Sequence, residues 1–154
     1  MRGRSRRPLQ LSDFFNILRP KNIEIEGRKF WAYKHGPIEL VIMRTRHFPD
    51  TAISVDESKW CSGIFINRGV WISGDTMLDA DYPTRFDKLA EVMFHDTQLF
   101  FGGVHASYQE LMTLPEDVRK KMYLYHYGDN WDKPETSSGG PDKYTGYPVK
   151  DGFL

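Results

Sequence analysis

A single cysteine, Cys61, is all that 154 residues contain, which excludes an internal disulfide and any cysteine-rich zinc cluster. Net charge is absent too. Lys plus Arg number 21 and Asp plus Glu number 21, so the chain exerts no global pull on nucleic acid or an anionic membrane. No apolar run approaches the roughly 20 residues that span a bilayer, and the basic start, Met1-Arg-Gly-Arg-Ser-Arg-Arg7, is not followed by a signal-type apolar core. These absences point to no membrane contact and a cytoplasmic setting. What is plentiful is apolar and aromatic side chain, 40% and 14%, enough for one packed domain.

Residues 1–8 read as a flexible basic arm, 9–130 as the folded body and 131–154 as an irregular, Gly- and Pro-rich tail. Leu11, Phe14, Phe15 and Leu18 recur at helical spacing before Pro20, predicting a short amphipathic helix. Strands are expected over 22–26, 29–34 and 38–46, the last apolar at its centre and running into His47. Gly63–Ile66 and Val70–Ser73 read as a hairpin through Asn67-Arg68-Gly69. Helix and strand then alternate. Helices are expected over Pro83–Val92, over Ser107–Met112 and from Pro115, with strands at Met93-Phe94 and Met122–Tyr125. The fold class is α/β (α+β), a mixed sheet faced by helices.

Four of the five histidines share a setting. His47, His95 and His126 each close an apolar strand-like run, and His105 opens a helix after Gly102-Gly103-Val104. Asp75 likewise closes the strand in Trp71-Ile-Ser-Gly-Asp-Thr76. Strand ends are where loops converge on such scaffolds, and imidazole with carboxylate suits zinc, manganese or iron. A hydrogen-bonded structural histidine and a simple Asx turn stay open as alternatives.

The order Arg46-His-Phe-Pro-Asp50, Ile72-Ser-Gly-Asp-Thr76, Phe94-His-Asp-Thr-Gln98, Val104-His-Ala-Ser107 and Leu124-Tyr-His-Tyr127 resembles the motif series of metallo-β-lactamase-fold hydrolases. It is most similar to the tRNA 3′-processing endonucleases and the small cyclic-nucleotide phosphodiesterases. Intervals of 28, 30 and 21 residues along His47, Asp75, His105 and His126 are compatible with that series. The resemblance implies the C-terminal half of an αββα sandwich. It also implies a metal-dependent phosphodiesterase acting on a small phosphodiester, such as a cyclic nucleotide, or on an RNA 3′ end. By the same resemblance His47, Asp75 and His126 are metal ligands, with Asp75 bridging two divalent ions, zinc or else manganese. His105 would protonate the leaving oxygen, and Asp96 would orient His105 from the place where the family has glutamate. His95 reads as a supporting or structural residue and His35 as a surface one.

The family's H-x-H-x-D-H motif is absent, for no two histidines here stand within eight residues of each other. The metal site is therefore incomplete, little activity is expected of the chain alone, and one apolar sheet face is left to be covered by an N-terminal half, from the same gene or a separate chain, or by a homodimer. A truncated product, a split enzyme and a degenerate, non-catalytic interaction domain all stay open as its origin. A lactamase-, thioesterase- or glyoxalase-like hydrolase fits the paired boxes at His95 and His105 less well. The aromatic tail residues Tyr127, Trp131, Tyr144 and Tyr147 are candidates for stacking on a base.

Overall fold

A computed structural model describes residues 8–25, 27–79, 82, 86, 88–99 and 103–126. Seven strands form one sheet whose spatial order follows the chain: β1 (Lys21–Ile25), β2 (Arg28–His35), β3 (Ile38–Thr45), β4 (Cys61–Ile66), β5 (Val70–Ile72), β6 (Val92–Asp96) and β7 (Met122–Tyr125). β1 to β5 pair antiparallel, and β5–β6 and β6–β7 pair parallel. Asn67 and Arg68, with φ of 49° and 57°, take the left-handed region in the three-residue β4–β5 turn, which the Gly69 N–H closes on the Ile66 carbonyl at 3.0 Å.

Because side chains alternate along a strand, the register sorts them onto two faces. Ala32, Val41, Phe65, Trp71, Met93 and Met122 form one row straight across six strands. This face joins Tyr82, Ala90, Tyr108, Leu111, Leu114 and Val118 in the hydrophobic core. Two one-turn helices contribute to that cover, α1 (Tyr108–Leu111) and α2 (Glu116–Arg119). Ser107 caps α1, its Oγ accepting from the Glu110 N–H at 3.2 Å while the Ser107 N–H donates to Glu110 at 2.8 Å. The opposite row is Trp31, Ile42, Ile64, Ile72, Phe94 and Tyr123, and Tyr33, Leu40, Ile66, Val70 and Val92 lie beside it. None of these eleven is buried among the described residues.

Three expectations need correction. The described residues form a mostly β, mixed seven-stranded sheet with few helices, and an αββα metallo-β-lactamase sandwich is not supported. Only Leu11–Asp13 is helical, as a 3₁₀ turn, in place of the expected N-terminal helix. Leu11, Phe14, Phe15 and Leu18 stay exposed, and without a surface to bury its stripe so short a helix is not stable. Val92 belongs to β6 and not to the preceding helix, of which Tyr82 and Phe86 are the helical residues described. The basic arm up to residue 7 and the tail from residue 127, with its stacking aromatics, lie outside the described residues. No described helix is long and apolar enough to cross a membrane.

His95 is wholly buried on the core face, its ring 5.5 Å from Trp71 and its Nδ1 2.6 Å from the Asp96 carbonyl oxygen. Burial lowers its pKa below the ordinary value, against a smaller raising effect from Asp96. The unfolded chain therefore binds the extra proton first as pH falls, and stability drops below about pH 6.5, by at most ~1.4 kcal/mol per pH unit for one group. Urea melts at pH 5 and 7.5 with chelator present are expected to show this loss. His95→Asn, which keeps a donor towards the Asp96 carbonyl, reduces the slope; an equal slope in both proteins counts against His95 as its source.

Candidate metal centre

Since β3 runs in the direction of β5, β6 and β7, all four strands end at one edge of the sheet. His47 follows β3, Asp75 follows β5, Asp96 ends β6 and His126 follows β7. Ligand sites in open sheets collect at such carboxyl ends.

Asp96 sits at the centre and is fully buried. One carboxylate oxygen accepts from His126 Nδ1 at 2.9 Å. The other accepts from His105 Nδ1 at 2.5 Å and from the Thr76 N–H at 2.9 Å. Its own backbone N–H donates to Ser73 Oγ at 2.9 Å. A carboxylate fixed in this way sets the tautomer of both rings. With Nδ1 donating, Nε2 is left in each as the lone-pair nitrogen. Asp96, His105 and His126 place ligand atoms within 4.8 Å of one another.

Asp75 joins from the rim, with Oδ1 3.3 Å from His126 Nδ1; both side chains are about half exposed. His47 stands beside His105, ring centroids 5.0 Å apart, and the His105 ring lies 4.9 Å from that of His126. The His47 Nδ1 is 3.1 Å from the Val104 carbonyl oxygen, which directs its Nε2 away from that backbone. The sequence-nominated residues His47, Asp75, Asp96, His105 and His126 are thus gathered in one cluster. His95 points into the core, and His35 lies exposed beside Tyr33, centroids 6.4 Å apart. What the sequence reading lacked was the bond from Asp96 to His126. The parallel register of β6 on β7, with Asp96 opposite Tyr125, brings it about. Ser73 and Thr76 were also missed as supports; their place in the Ile72–Thr76 stretch was the available signal.

Backbone ties hold the edge together. The Thr76 hydroxyl donates to the Arg46 carbonyl at 2.9 Å and the Ala106 N–H donates to the Thr76 carbonyl at 2.9 Å, so the loops after β3, β5 and β6 are tied to one another. Burial raises the Tyr125 phenol's pKa, and its hydroxyl stays within 3.4 Å of Ser73 Oγ behind the site. Gly74 has φ +66°, and a Cβ there would stand 2.2 Å from the Ser62 carbonyl oxygen.

Similarity along most of this chain identifies its family. A family model for "Anti-Pycsar protein Apyc1" matches residues 1–143. The chain belongs to that family. It is 32% identical over 139 residues to an anti-Pycsar protein Apyc1 of Paenibacillus harenae, covering 89% of this chain and 52% of the relative. Namesakes in Bacillus phages 010DV004 and BSP38 are 33% and 30% identical over 134 and 136 residues, covering 84% and 85% of this chain. The chain spans about half the length of these curated relatives.

These findings correct the sequence reading. Family and relatives carry the anti-Pycsar name, not that of a metallo-β-lactamase hydrolase, phosphodiesterase or nuclease, and the resemblance to tRNA-processing endonucleases does not stand. The non-catalytic interaction domain derived from that fold has no support from them either. Five short boxes gave the resemblance, whereas identity over some 130 residues gives the family.

Two substitutions probe the geometry. Gly74→Ala forces an L side chain into a left-handed position against Ser62, and a loss of about 2–4 kcal/mol is expected in urea unfolding. Wild-type stability would show that the Asp75 turn is built otherwise. Asp96→Asn retains shape but offers one acceptor oxygen to three donors, a cost of about 1–3 kcal/mol. Its ring-nitrogen NMR signals should show a changed tautomer at His105 or His126; both rings unchanged would refute the shared carboxylate.

Proposed function

We propose that this chain supplies a divalent-cation site to an anti-Pycsar protein, and that opposition to Pycsar depends on it. The observation that carries the reading is the buried Asp96 holding Nδ1 of both His105 and His126, which leaves Nε2 of each ring to a ligand, with Asp75 3.3 Å from His126 Nδ1 and the His47 ring next to that of His105. Imidazole and carboxylate together suit zinc, and with more oxygen donors manganese, and a hydrogen-bonded acid behind each ligating histidine is the usual support of such sites. His126, Asp75 and His47 are the residues that would hold the cations, two in number if Asp75 is shared. His105, with Nδ1 on Asp96, is placed to exchange a proton at Nε2 with whatever is bound. A cation there would attract and polarise an anionic ligand.

The open sheet face belongs to the same reading. An aromatic and aliphatic face crossing six strands is far larger than the scattered apolar residues of an ordinary surface. We place a further polypeptide layer on it, from the remaining half of the relatives' length or from a second copy. Donors from that layer would complete the cation site, for the described residues offer few.

Isothermal titration with Zn²⁺ and Mn²⁺ tests the site directly. Submillimolar binding is expected, and Asp75→Asn or His126→Ala should weaken it at least about tenfold. The same variants, placed in the chain joined to the unmatched half of a relative, should lose phage protection in cells defended by Pycsar. Protection that persists after cation binding is abolished would overturn the proposal.

A further inference from the structure

His47 follows β3 and His105 lies just before α1, yet two consecutive residues set the direction of both rings. The Val104 carbonyl oxygen accepts from His47 Nδ1 at 3.1 Å, and His105 turns its own Nδ1 to Asp96 at 2.5 Å. The His47 backbone is tied elsewhere, since the Arg46 carbonyl accepts from the Thr76 hydroxyl at 2.9 Å and the Met77 N–H at 2.8 Å. Only the ring depends on Val104. His126 has a separate anchorage through β7 and Asp96. Whatever steadies residues 104 and 105 therefore steadies one side of the cluster.

Both ends of that stretch lean on Gln98, a buried residue. After it, the Gln98 N–H donates to the Ala106 carbonyl at 2.8 Å and the Tyr108 N–H donates to the Gln98 carbonyl at 2.9 Å, a parallel bridge opposite Ser107. Before it, the Gln98 carboxamide lies against Gly103, where a Cβ would stand 2.8 Å from Oε1 and 3.0 Å from Nε2. Gly103 has φ of 118°, a region in which glycine turns freely, so its own backbone does little to aim the Val104 carbonyl. We infer that Gln98 is the positioning residue for His47 and His105: its backbone fixes 106–108, its side chain fixes Gly103, and between them lie the acceptor for one ring and the other ring itself. Gln98 acts here through the backbone and not as a ligand. Its consequence for cations rests on the reading proposed above; its geometry does not. Loss of such an outer support ordinarily weakens a metal site about tenfold or more.

The test compares the full chain with Gln98→Ala, Gln98→Asn and Gln98→Met. Alanine and asparagine withdraw the side chain from Gly103 and leave the backbone bonds in place, asparagine with the smaller cavity; methionine reaches as far as glutamine. Long-range proton–nitrogen NMR of the metal-free proteins at about pH 8, where free imidazole is neutral, reads the tautomer of each ring. In the alanine and asparagine variants His47 should pass from one tautomer to a mixture and the His105 signals should shift, while His126 keeps its tautomer. Isothermal titration should then show Zn²⁺ bound about tenfold more weakly by these two, and within about threefold of wild type by Gln98→Met. Urea melts show that the variants fold. The inference is overturned if His47 keeps a single tautomer in the alanine and asparagine variants, or if Gln98→Met behaves as they do. It is equally overturned if His126 changes along with His47, as general loosening would produce. A wild-type chain that binds no Zn²⁺ would defeat the cation reading, and the NMR comparison alone would decide the role of Gln98.

Discussion

A carboxylate shut away from water must be matched by donors, and Asp96 meets that demand with two imidazole rings and a backbone N–H. The demand organises the whole polar edge. Satisfying Asp96 fixes where β7 must end, which way His105 faces and how tightly the turn after β5 must close. Ser73 and Thr76 anchor it from behind, and Gly74 permits the turn that sets Asp75 at the rim. Removing a member of such a network leaves its partners unsatisfied, so geometry and stability are coupled through one side chain.

Much of the strand layout was readable beforehand, because period-two alternation and the Asn67-Arg68-Gly69 turn leave little choice of register. The β-branched centre of β3 and the run ending at Tyr125 fall within a residue or so of their expected bounds. Helices were harder. The stripe of Leu11, Phe14, Phe15 and Leu18 has the right period but no surface to meet, and periodicity cannot reveal whether a complementary face exists.

At the site, strand-end position drew attention to His47, Asp75, His95 and His126, since strands of like direction deliver their last residues to one edge, while Asp96 was nominated only through the resemblance. The double role of Asp96 was hidden. It depends on which residue of β7 lies opposite Asp96, a fact of pairing between segments thirty residues apart. The family was hidden for a different reason. Short boxes around histidines recur in many folds, and the anti-Pycsar assignment rests on similarity spread over most of the chain.

The two sides of the sheet divide the labour of the molecule. The side facing α1 and α2 stabilises the chain by excluding water from Trp71, Met93 and Met122, whereas the Trp31–Tyr123 row, half-buried except for the exposed Phe94, does so only in part. That row makes dosage a physical variable. A cell that accumulates this polypeptide faster than a cover for the row would present sticky, twisted β surface to the crowd around it, and surplus copies would go to chaperones, proteases or precipitate. If the proposed layer exists, synthesis of the chain in step with it is a requirement set by six side chains.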